Sequence, residues 1–127
     1  MTYEEFKLAF KNFLETFIFS AEKSRHEGLL ALENDLLKHE DEYNARDIFW
    51  YGMRFAVDGI DDNLTDRILS NIIEQENSGY KKTLMQIKKE AILSIQRGDN
   101  PRITIALLNS YTDLHLDDPI MKVIDGR

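Results

Sequence analysis

Phe6, Phe10, Phe13, Phe17 and Ala21 recur at spacings of four, three, four and four. That period draws one apolar stripe down an amphipathic helix. Lys7, Lys11, Glu15 and Glu22 fall on other faces, and Ile18 and Phe19 are expected to widen the stripe. Thr2, with Glu5 three residues on, is a capping box that sets the start. Leu29, Leu32 and Leu36 keep the period beyond Gly28, so the helix either runs through that glycine or bends at it. A glycine inside a helix costs about 1 kcal/mol relative to alanine. The polar run His39 to Asn44 ends the element.

Asn44 with Asp47 restarts a helix carrying Ile48, Phe49, Met53, Phe55, Ala56 and Val57, with Trp50 and Tyr51 beside them. Asp58-Gly59 stops it. Asp61 caps a third helix whose buried side is expected to hold Leu64, Ile68, Leu69, Ile72 and Ile73. Asn77-Ser78-Gly79 reads as a break, and Tyr80, Leu84, Ile87, Ala91 and Ile95 line a fourth helix ending at Gly98. Asn100-Pro101 opens a short fifth helix with Ile103, Leu107 and Leu108, since proline at the first helical position loses no needed N–H. Nothing alternates with period two. The prediction is an all-α bundle of four to five helices with a long amphipathic N-terminal helix. Residues 1–111 form a single domain, and residues 112–127 a loosely packed acidic tail broken by Pro119.

At 127 residues, 43% apolar and 31% charged, the chain suits one folded domain. Its uncharged runs fall well short of the roughly 20 apolar residues of a spanning helix, and the start resembles no signal peptide, so neither a span nor a leader is expected. The absence of cysteine fits a reducing cytoplasm. Charge changes the picture further. Residues 1–76 hold 17 acidic and 8 basic side chains, and residues 77–127 hold 6 and 8. The acidic front disfavours nucleic acid. The cluster Lys81, Lys82, Lys88 and Lys89 is read as a solvated helix face rather than a nucleic-acid patch. Halves of opposite sign are expected to attract each other or to join subunits.

Candidate chemistry is sparse. There is no phosphate loop, no cysteine nucleophile and no His-Glu-x-x-His or Glu-x-x-His spacing. His39 with Glu40, Asp41 and Glu42, and His115 with Asp117 and Asp118, match no calcium-loop spacing and are read as solvated. No enzyme, metal or cofactor is expected.

Three blocks carry a resemblance. They are AEKSRHEGLLALEND from Ala21 to Asp35, GMRFAVDGIDDNLTDRILSNIIEQE from Gly52 to Glu76, and KKEAILSIQRGDNPRI from Lys88 to Ile103. In that order they resemble the cytoplasmic domain of MotA, the flagellar stator protein of the MotA/TolQ/ExbB proton-channel family. The family has two membrane helices between its second and third blocks, where this chain has only Asn77 to Ile87. The charged segment Thr2 to Ser20 stands in for another membrane helix. The resemblance therefore implies a stator domain without a channel. It would be cytoplasmic, peripheral to the motor at the inner membrane, and would bind the rotor switch protein FliG or MotA stator subunits.

The family contacts FliG through an Arg and a Glu eight residues apart, and Arg25 and Glu33 fall on those positions. On one helix they would lie roughly 80° apart. Glu22 and His26 on the same charged stretch complete the candidate contact set. The alternative for Arg25 is an ion pair within its own helix, for example with Glu22. The alternative for the whole chain is a self-associating scaffold, a homo-oligomer built on the phenylalanine stripe and the oppositely charged halves.

Overall fold

A computed structural model describes residues 1–40, 47–114 and 116. Among them are six α-helices and no strand: α1 (Tyr3–Glu27), α2 (Glu33–Lys38), α3 (Ile48–Val57), α4 (Asp62–Glu74), α5 (Tyr80–Arg97) and α6 (Pro101–Asn109). The all-α prediction holds, with one helix more than expected. The extra element arises at Gly28. Its φ of +89° ends α1, and a single 3-10 turn, Leu29–Leu32, leads into the short α2. Of the two options at Gly28 the chain takes the bend.

Local capping sets most of the other boundaries. Thr2 and Glu5 form the reciprocal capping box. Asp47, Asp61 and Asn100 each accept a hydrogen bond from a backbone N–H in the first turn of α3, α4 and α6. Asp47 itself is therefore the α3 cap, while Asn44 lies outside the described residues. Gly98, at φ +73°, closes α5 in the left-handed conformation that glycine adopts without a Cβ clash.

The centre of the molecule is α5. It packs against α1, α3, α4 and α6 and buries Leu84, Ile87 and the run from Ala91 to Ile95. Phe6, Phe10, Phe13 and Phe17 of α1 are all covered. Phe6 stacks on Tyr80 at 5.2 Å, and Phe13 meets Phe49 edge-on at 5.0 Å between ring centres. Each such ring contributes about 1.5–3 kcal/mol of apolar burial. Phe19 does not join them. Its ring points outward and stays 60% exposed, as does Leu8 at 61%. On α4 the buried line is narrower than the pattern suggested: Leu69 and Ile73 are buried, Ile68 and Ile72 are half-buried, and Leu64 faces solvent. Gly52 lets α3 come close, for a Cβ there would sit 2.6 Å from Ile92 Cδ1 and 3.0 Å from Leu69 Cδ1.

Polar contacts fasten the same helices. The Ser94 and Thr104 hydroxyls share a buried hydrogen bond between α5 and α6. The Gln96 amide donates to the Ile60 carbonyl, tying α5 to the α3–α4 turn. The lysine cluster, expected to be solvated, keeps only Lys81 well exposed, and all four lysines are paired. Lys81 meets Glu76, Lys82 meets Glu74, Lys88 meets Asp47 and Lys89 meets Asp66, at 3.3, 3.9, 3.5 and 3.0 Å. Arg97 adds Asp62 at 2.7 Å. All five acids come from residues 1–76 and all five bases from residues 77–127, so the opposite charges of the two halves meet within one chain. The tail is anchored for its first few residues. Buried Asn109 donates to the Leu116 carbonyl and accepts from the Leu116 N–H, both at 2.9 Å, and Leu114 and Leu116 pack on the core.

Two measurements check this arrangement. A continuous helix would be stabilised by Gly28→Ala. At φ +89° the same change should instead lower stability by about 1–3 kcal/mol, although a Cβ meets nothing within 4 Å there. Denaturant unfolding reads the sign. Acid titration is the second. Hydrogen bonding from Arg97 lowers the Asp62 pKa despite some desolvation; at Asp66 desolvation pushes upward but bonds from Lys89 and Ser70 outweigh it. A carboxylate with a lowered folded-state pKa stabilises the fold above its unfolded value near 3.9. That contribution is lost as pH falls through the lower folded value. Stability should drop below about pH 4, and D62N/D66N should flatten that drop while lowering stability at pH 7.

Candidate protein-contact site

Glu22, Arg25 and His26 occupy the last two turns of α1, where basic side chains complement the partial negative charge of the helix end. Glu22 does not pair with Arg25. Its carboxylate lies 3.7 Å from His26 Nε2, in the i,i+4 relation. Arg25 is exposed and makes no ion pair among the described residues. It lines a groove of about 550 Å³ between α1 and α6, together with Ile18, Glu22, His26, Arg102 and Ile105. Asn100 and Pro101, the cap and first residue of α6, form the far wall.

Glu33 sits elsewhere. The bend at Gly28 places it at the start of α2 rather than two turns further along the helix of Arg25. The one-helix geometry expected for the two residues therefore does not hold. Glu33 accepts a hydrogen bond from Arg54 Nη1 at 3.2 Å, and Arg54 Nε reaches Asp58 at 3.1 Å. The bond to Glu33, then the charge of Asp58, raise the Arg54 pKa further above its ordinary value. Lys23 holds α2 from the other side by pairing with Asp35 at 3.0 Å, and that carboxylate is largely buried. Three of the four candidates thus gather at the end of α1. The fourth belongs to a charged clasp that seats α2 on α3.

Arg54 and Arg102 were not singled out from sequence. The Arg54–Asp58 spacing of four was visible as a helix pair. The partnership with Glu33, and the approach of Arg102 to Arg25, arise only from tertiary packing. His39 stacks flat on Trp50, 3.9 Å between ring centres and 6° between planes. Its sequence neighbours Asp41 and Glu42 lie outside the described residues, as do His115, Asp117 and Asp118. Among the described residues no three His, Asp or Glu side chains converge as a metal site would require, and no helix is long and apolar enough to cross a membrane. No family model, curated protein or solved structure matches the chain.

If Arg54 holds α2 in place, Arg54→Ala should speed amide exchange in Glu33–Lys38 by a few-fold and leave the α5 amides unchanged. Hydrogen exchange followed by mass spectrometry distinguishes this from a uniform loss of protection.

Proposed function

We propose that the protein works by protein–protein contact in the flagellar motor system, as a stator-like helical domain without a channel. The end of α1 would meet the switch protein FliG or the cytoplasmic part of MotA stator subunits. Arg25 carries this reading. Its position in the stretch resembling the family is matched by an exposed guanidinium that no carboxylate of the described chain engages. Glu22 and His26 flank it, and Arg102 on α6 adds a second exposed guanidinium to the same groove. Glu33 is given a supporting part, since its carboxylate is shared with Arg54. Charges at an exposed rim act mainly on encounter rate and register, which suits a partner that is engaged and released.

Titration of the full chain against FliG and against stator subunits tests the proposal. Binding to one of them should weaken at least tenfold with Arg25→Glu, a loss of about 1.4 kcal/mol or more, and should fall with added salt. Arg25→Ser, with circular dichroism as the control for folding, separates lost contact from a frayed helix end. Binding that ignores both substitutions, or no binding to either partner, overturns it.

A further inference from the structure

The outward face of α1 carries a pattern that the bundle does not use. Leu8 and Phe19 are the two large apolar residues of this helix left most open to solvent, apart from Met1 ahead of it. They lie eleven positions apart, close to three helical turns, and so point in nearly the same direction. A shallow, mainly apolar dip on one side of Phe19 is lined by α1 residues alone, while its other side borders a groove shared with Asp35 and Lys38 of α2 and Trp50 of α3. Along one flank of the Leu8–Phe19 line stand Glu4, Lys7, Lys11, Glu15, Glu22 and Arg25, with signs minus, plus, plus, minus, minus, plus. Among the described residues only Glu22 has an ion-pair contact, the one to His26.

We propose that a second copy of this chain covers that face, the two α1 helices running antiparallel about a two-fold axis near Phe13 and Leu14. The order of charges is what selects this occupant. In an antiparallel pair each residue faces one equally far beyond the midpoint, and a two-fold axis sets each flank against its own copy. Glu4 then meets Arg25, Lys7 meets Glu22 and Lys11 meets Glu15, each twice, while Leu8 meets Phe19 at either end. The midpoints of the four pairings fall between positions 13 and 14.5, a spread of about 2 Å along the helix that long side chains span; the three charge pairs are complementary and the fourth is apolar. A parallel two-fold pair would set this flank against the opposite side of the partner helix and make none of these pairings. The net charge of −7 per chain acts against association, but at physiological salt the Debye length of about 8 Å screens it while pairs in contact persist. A seam of one helix per chain belongs with small, reversible interfaces, below about 1,200 Å². Arg25 lies within it, so the dimer and a partner at the end of α1 would exclude one another. The dimer itself does not rest on any motor role.

Sedimentation equilibrium of the full chain over a wide concentration range should show the mass rising from one chain to two. K7E/K11E and E15K/E22K should each weaken the dimer at least tenfold, with unchanged circular dichroism at these exposed positions. An equimolar mixture of the two variants should regain it, because opposite charges then face each other along the whole seam. Phe19→Ser, measured the same way, carries the test if either double variant loses helical signal. A monomer at every concentration, assembly beyond two chains, variants that dimerise like the parent, or a mixture that does not recover would each overturn the proposal.

Discussion

The covering of four phenylalanines on α1, on which α5 packs and Phe49 of α3 meets Phe13 edge-on, is the contact on which the rest depends. Phe6, Phe10, Phe13 and Phe17 would otherwise leave a helix of 25 residues with its apolar stripe in water. A helix this amphipathic gains most of its stability from that packing rather than from intrinsic propensity. Once α1 lies on α5, the outward direction of every other α1 side chain is settled. Leu8, Phe19 and the charged flank face away because the phenylalanines face in. The same helix is thus both a wall of the core and the carrier of an exposed face that includes Leu8 and Phe19.

Electrostatics reinforces this arrangement locally. Lys81, Lys82, Lys88, Lys89 and Arg97 each find an acid of the front half, and those contacts link α5 and its start to α4, to the residues just beyond it and to the beginning of α3. Exposed pairs contribute little individually. Lys88 and Lys89 are four-fifths shielded, however, and Lys89 is also hydrogen-bonded to Ser70. Their main consequence is for the surface. Five of the eight basic side chains of residues 77–127 are engaged inside the monomer, and Lys7, Lys11, Arg25 and Arg102 are among the cations that have no ion pair among the described residues.

What was legible in the sequence follows the range of the interaction that decides it. Asp47, Asp61 and Asn100 cap helices through bonds spanning two residues, so those starts could be read locally, and Gly98 needed only its own backbone freedom. The phenylalanine stripe was readable because burial on one face imposes its period. Phe19 was misjudged although its placement was legible, since two residues beyond Phe17 it lies about 200° round the helix, on the side away from the stripe. Gly28 had two acceptable conformations, and the seating of Leu32 and Leu36 in the core selects the bent one. Glu33 looked free for the same reason. Its partner Arg54 is 21 residues away, beyond any helical spacing.

Arg25 is where these strands meet. The bend at Gly28 removes Glu33 from its helix, and the i,i+4 geometry gives Glu22 to His26 instead. With the acids behind α5 already committed to lysines, its guanidinium is left in solvent beside that of Arg102. A charge in that position costs the fold almost nothing, because it keeps its hydration and favours the helix end. It is therefore available without loss of stability to whichever carboxylate arrives, from another protein or from Glu4 of a second copy. Competition between those two occupants would make the concentration of the protein itself a control on how much of the α1 end is open.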